Sequence, residues 1–157
     1  MSGDRDLILT RRGEPPSDEL KRAAVAQASE VLPGLVVGSA PQCRFAGEKG
    51  YHCISVRNEI GCSAERCRHM PYLDLDLFIA NQADLDLFAD TLRDVWLVGG
   101  KKTYVHCFFG VERAPLAVAY AIKRDVTPAL PFADVYTFIR RVRQVALDRT
   151  AWLERVP

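Results

Sequence analysis

Apolar positions follow two rhythms along the chain. Short runs rich in branched and aromatic residues are Val31-Leu32 and Leu35-Val36-Val37, split by Pro33-Gly34, then Tyr51 to Val56, Pro71 to Leu75, and Thr103-Tyr104-Val105. Their length and content predict strands, the first two forming a hairpin-like pair at a sheet edge. The Ser-Asp start and alanine content of Ser17 to Glu30 suggest a short helix, and Gln42 to Lys49 reads as a short helix or turn that Gly50 ends. Helical spacing marks a longer segment, Ala83 to Val98, where Leu85, Phe88, Leu92 and Val95 fall on one face before Gly99-Gly100. Further helices are expected over 114–124, 132–146 and 150–156, and a polar loop over Asn58 to His69. Strands alternating with helices predict an α/β domain: one central, mostly parallel sheet flanked by helices. Residues 1–29 read as an N-terminal arm with a short helix, and 30–157 as the domain itself.

Composition fits this picture. A chain of 157 residues, 48% hydrophobic, can bury one core and is too short for two ordinary domains. A net charge of +1 with both signs interspersed offers no basic stripe for nucleic acid and no polybasic patch for an anionic membrane. The polar start, MSGDRDLILTRRGEPP, carries no signal-peptide core, and no apolar run reaches the eighteen or so residues of a membrane span, so a cytoplasmic protein is expected.

The chemistry concentrates in Val105-His106-Cys107-Phe108-Phe109-Gly110-Val111-Glu112-Arg113-Ala114-Pro115. A strand leads into it, and the helical run Leu116 to Ile122 follows, so the segment should be a loop opening on a helix N-terminus. The first amides of a helix lack internal partners and lie at the positive end of its dipole, which suits a phosphate dianion. Thiols placed beside helix N-termini and guanidinium groups tend to be thiolates near neutral pH, which makes Cys107 a candidate nucleophile. Arg113 supplies a planar fork for two phosphate oxygens. Gly110 allows a positive φ or a close backbone approach, and Pro115 suits the start of a helix. Phe108, Phe109, Gly110, Val111, Glu112 and Arg113 are thus the candidate phosphate-binding residues. His106 is expected to hold the loop by hydrogen bonds.

The segment HCFFGVER resembles the His-Cys-x5-Arg signature of cysteine-based protein phosphatases, and the chain is similar to their compact dual-specificity branch. VLPGLVVGSAPQ (31–42) is similar to the opening strands of that branch, YHCISV (51–56) to its next strand, and MPYLD (70–74) to its Pro-x-x-Asp general-acid motif. The likeness covers about residues 30–156 and implies the cysteine-phosphatase fold, with phosphomonoester hydrolysis through a cysteinyl-phosphate. It implies no cofactor and no metal, and as partners a phosphorylated protein or a small phosphomonoester, with no nucleic acid and no membrane. Ala114 departs from the pattern, since the family usually carries Ser or Thr beside the arginine to help sulfur leave. A slow phosphate-binding pseudophosphatase or trap is therefore an alternative. HC-x-F-x-x-ER-x-P also resembles the rhodanese-fold cell-division-cycle phosphatases, and Ala-Pro after the arginine resembles the plastid glucan phosphatases, which leaves a sugar phosphate as a further alternative.

The leaving group needs a proton donor. Asp74 matches the Pro-x-x-Asp motif, Asp76 matches ungapped family spacing, and Asp74 is preferred. Glu112 would repel a dianion if aimed into the loop and is expected to point outward. No lysine lies between Cys107 and Arg113, which favours a monophosphate over a polyphosphate, with phosphotyrosine the preferred form. Phe108 and Phe109 either rim the pocket or fill the core. The five cysteines (Cys43, Cys53, Cys62, Cys67, Cys107) are expected to be free thiols. Cys62, Cys67 and His69, with His52 and Cys53, match no tight zinc spacing, and Cys53 or Cys62 could resolve an oxidised Cys107.

Overall fold

A computed structural model describes residues 8–9, 16–56, 67–69 and 80–148. Its elements are β1 (Ile8–Leu9), α1 (Asp18–Val25), β2 (Ala28–Leu32), β3 (Leu35–Gly38), α2 (Cys43–Glu48), β4 (His52–Ser55), β5 (Cys67–His69), β6 (Ala80–Asn81), α3 (Gln82–Leu92), β7 (Thr103–His106), α4 (Arg113–Asp125) and α5 (Phe132–Val142). The central sheet has the order β2-β3-β7-β4-β5, and β1 pairs with β6 apart from it. Within the described strands of the central sheet only β2 runs antiparallel to its neighbour; β3, β7, β4 and β5 are parallel. The mostly parallel α/β architecture expected from the sequence is present.

Side-chain alternation along the strands assigns the two faces of the sheet. Leu35, Val37, Ile54, Val56, Val105 and Cys107 enter the main core, together with buried residues of α3, α4 and α5. Val36, Cys53 and Tyr104 enter a smaller cluster with Cys43 and Ala46 of α2. Helix α4 is buried from Arg113 to Ile122, and four alanines in that stretch let the sheet and the neighbouring helices approach it closely.

Several element limits differ from the sequence reading. Helix α1 starts as expected, with Ser17 Oγ accepting from Leu20 N–H at 3.2 Å, yet it stops at Val25 because Ala28 to Leu32 pair with β3. Tertiary pairing overrides the helical propensity of the alanines. The Pro33-Gly34 turn joins β2 and β3 as expected, with Gly34 at φ +76°, but only β2 lies at the edge. Cys67–His69, read as loop, is strand β5. The long helix before Gly99 divides into α3 and a π-helical segment, Arg93–Val98. Helix α5 ends at Val142 rather than 146, where Arg143 turns to φ −106°, ψ 85°. The strand expected at 71–75 and the helix expected at 150–156 lie outside the described residues. Among the described residues, no helix is long and apolar enough to cross a membrane.

Candidate active site

Residues 107–112 leave the C-terminal end of β7, a central strand, and deliver the chain into α4. What shapes this loop is the fate of its carbonyls. His106 O accepts from Val56 N–H at 2.8 Å, Phe108 O from Ala40 N–H at 2.7 Å, Val111 O from Leu147 N–H at 2.9 Å and Glu112 O from Leu116 N–H at 3.1 Å. The His106 ring lies with Nδ1 2.9 Å from Cys107 O, and since a carbonyl can only accept, the proton belongs on Nδ1. Arg143 takes the remaining two, donating from Nη2 to Phe109 O at 3.0 Å and from Nε to Gly110 O at 2.6 Å. Seven consecutive carbonyls are committed to these donors. In a trans peptide the N–H of the next residue points opposite to the carbonyl, and no peptide bond here is cis, so each amide of residues 107–113 points away from the donor that holds the carbonyl before it. The amides of Gly110 and Ala114 face the inner side of the loop.

Cys107 Sγ occupies that side. It accepts from Gly110 N–H at 3.2 Å and from Ala114 N–H, in the first turn of α4, at 3.5 Å. These donors and the N-terminal end of the helix dipole suit an oxyanion held beside the sulfur. Cys107 is 2% exposed and Arg113, the first residue of α4, 4%. Gly110 has φ +70°, and an added Cβ would collide with the carbonyl of Gly38 and crowd the Arg143 guanidinium. Both its backbone angle and its surroundings demand glycine.

Arg143 is the residue the sequence reading missed. It is completely buried, and besides the two loop carbonyls it donates to Ala24 O at 3.3 Å, Gln27 O at 3.1 Å and Ser29 Oγ at 3.2 Å. Five donor contacts match the five N–H bonds of a guanidinium, so the side chain is spent on protein acceptors. Burial pushes its pKa down from the ordinary arginine value, opposed by Cys107 and Tyr104. Arg143 thereby joins α1 and β2 to the back of the loop. In the sequence it was one basic residue among several on an amphipathic helix, where solvent-facing arginine is the common case.

The structure brings His106, Cys107, Gly110 and Arg113 together in one loop, while Asp74 and Asp76 lie outside the described residues. Glu112 was expected to point outward, but it is 3% exposed. It sits at the N-cap of α4, whose first turn is packed into the core, and position there leaves its side chain little path to solvent. Phe108 and Phe109 are half-buried, in edge contact at 4.6 Å, so neither is wholly core. Cys53 lies in the small cluster on the opposite sheet face from Cys107, with its Sγ 3.6 Å from Cys43 O, which argues against direct pairing of the two thiols. Among the described residues Cys43, Cys53 and Cys107 form no disulfide with one another, and Cys62 lies outside them.

No protein-family model and no curated protein matches the sequence. Solved structures do match the fold. Human tyrosine phosphatase-like serine/threonine/tyrosine-interacting protein superposes with a TM-score of 0.63 at 18% identity, over 82% of this chain and 91% of its own. Human DUSP28 gives 0.62 at 19% identity over 82% and 88%, and PTP-2 phosphatase of Cydia pomonella 0.63 at 17% over 83% and 88%. The chain thus has the fold of the compact dual-specificity and tyrosine phosphatases, not the rhodanese architecture.

Proposed function

We propose that this protein is a phosphomonoester hydrolase of the protein-tyrosine or dual-specificity type, acting through a cysteinyl-phosphate. The observation that carries this reading is the Cys107 sulfur at the N-terminus of α4, accepting from the Gly110 and Ala114 amides in a loop whose carbonyls are taken by other donors. In the first step the Cys107 thiolate attacks phosphorus, the bond from phosphorus to the ester oxygen breaks, and that oxygen takes a proton from Asp74, with Asp76 as the alternative donor. In the second step water attacks phosphorus, the sulfur–phosphorus bond breaks, and inorganic phosphate leaves with the thiolate restored. Arg113 binds two non-bridging oxygens throughout, and the inward amides bind the others as charge shifts in the transition state. Phosphotyrosine is the preferred substrate form, and a cytoplasmic setting is part of the same reading.

Hydrolysis of p-nitrophenyl phosphate tests it. Cys107→Ser is expected to abolish phosphate release while retaining tungstate binding, and Arg113→Lys to lose both, since a point charge cannot replace the fork. Turnover by Cys107→Ser at the wild-type rate overturns the assignment. Loss of the basic limb of the pH–rate profile in Asp74→Asn, but not in Asp76→Asn, assigns the acid.

A second reading, a slow trap for phosphorylated partners, is favoured by Ala114 in place of a hydroxyl residue. A burst of p-nitrophenol equal to enzyme, followed by near-zero steady state, would establish it.

A further inference from the structure

We propose that Lys21 of α1 selects peptide substrates carrying a carboxylate beside the phosphorylated residue, an inference that rests on the phosphatase reading above. Helix α1 is fastened to the phosphate-binding loop. Ala24 packs with Val111 and Val145 in a cluster that Leu20, Phe109 and Leu147 complete, and Ala24 O is held by Arg143. From this fixed helix the Lys21 ammonium reaches over the Phe109 ring, 5.5 Å from its centroid. Its stem is half-buried, and its charge stays at the surface, as long basic side chains do on apolar ground.

Phe109 is the right neighbour for such a role. From His106 to Arg113, only Phe108 and Phe109 are not buried, so a phosphorylated side chain coming from solvent meets these two rings on its way to Cys107. Residues flanking the phosphorylated one pass beside the same rings and so beside Lys21. The other cations close to the loop are committed elsewhere: Arg113 lies within it, and Arg143 is fully enclosed with its donors on protein acceptors. Among the described residues, Lys21 forms no ion pair that a substrate would have to break. A neutral peptide gains nothing from the ammonium; an acidic one gains an ion pair on a rigid support.

The test is the ratio of kcat/KM for two phosphotyrosyl peptides, one with Asp on both sides of the phosphotyrosine and the other with Asn, measured on the full chain. Exposed ion pairs are weak, so the wild-type ratio should be about three- to fivefold in favour of Asp at low salt, falling toward one as salt screens the pair. Lys21→Met, which keeps the stem over Phe109, should bring the ratio to one, and Lys21→Glu should invert it. Arg22→Met, the adjacent exposed position, should leave the ratio as in the wild type. A wild-type ratio of one, an unchanged ratio in Lys21→Met, or an equal loss in Arg22→Met overturns the proposal while p-nitrophenyl phosphate hydrolysis leaves the phosphatase reading standing. If nothing is hydrolysed, the same ratio is read from Kd values on Cys107→Ser; absence of any phosphopeptide binding there sinks both readings.

Discussion

Ala114 offers the sulfur a main-chain donor where its side chain offers none. In the second displacement of the proposed reaction, negative charge would return to Cys107 Sγ, and the N–H groups of Ala114 and Gly110 stand 3.5 Å and 3.2 Å from it. A serine hydroxyl would add a third donor to an atom that already has two. Ala114→Ser is therefore expected to raise steady-state kcat by less than about tenfold, which corresponds to about 1.4 kcal/mol, and to shrink any pre-steady-state burst. Rapid-quench measurement of both proteins checks this, and an unchanged kcat would mean that the two amides suffice. At this scale the sequence was informative where chemistry is local. Cys107, Gly110 and Arg113 stand within seven consecutive residues, and the order of strand, His-Cys, glycine, arginine and helix grouped them as a candidate site. The second reason for glycine at 110, the carbonyl of Gly38 against it, comes from a strand some seventy residues away in the chain and left no local trace.

At the scale of elements, α5 and α1 meet through one side chain. Helix α5 could have continued on propensity, but ending it at Val142 lets the Arg143 guanidinium lie behind the loop. Arg143→Lys leaves three donors on a compact head for five acceptors, so at least two of them go without a partner. With about 1–3 kcal/mol for each buried acceptor left unpaired, a loss of roughly 2–6 kcal/mol in stability is expected. Tungstate affinity should fall by more than about tenfold even at temperatures where the variant is fully folded, because the loop carbonyls of Phe109 and Gly110 are no longer both held. Thermal unfolding with and without tungstate separates the two effects, and unaltered affinity in a folded variant would restrict Arg143 to a purely structural role. Helix existence was legible from periodicity at α3, α4 and α5. The limits of α4 were legible too, expected at 114–124 and found at Arg113–Asp125, but where α1 and α5 end was not, since those ends are set by partners that only the folded chain supplies.

Across the whole molecule, two phenols connect layers that the sequence does not place together. Tyr104, on β7, donates to Ser39 O at 2.6 Å, and its ring fills the space that a side chain at position 38 would need. Tyr120, on α4, donates to Asp86 of α3 at 2.6 Å beside the Arg124 ion pairs with Asp86, Asp90 and Asp125. Burial pushes the Tyr104 phenol up, and burial followed by Asp86 pushes Tyr120 up to about 12. Unfolded tyrosine titrates near pH 10, so the native state holds these protons more tightly than the unfolded chain. Their contribution is whole below about pH 10 and is lost as pH rises through the folded values. The urea midpoint should be flat to about pH 9 and then decline, with a shallower decline in Tyr104→Phe and Tyr120→Phe; equal slopes in all three proteins would count against the linkage. Fold class was readable from alternating strands and helices, whereas the order β2-β3-β7-β4-β5 was not. Parallel pairing joins segments far apart in sequence, such as β3 and β7, and no local pattern encodes which strands become neighbours.

The reach of Arg143 also sets a timetable. Its bonds to Ala24, Gln27 and Ser29 span 114 to 119 residues, and those to Phe109 and Gly110 a further 33 or 34. During synthesis Cys107 and Arg113 leave the ribosome well before the residue that holds the carbonyls of Phe109 and Gly110. Contacts of such long separation close late, after the chain has met the entropy of bringing distant parts together. An unfinished chain therefore carries Cys107 without its finished cradle, and the loop acquires its full support only once both halves of the sheet and α5 have come together.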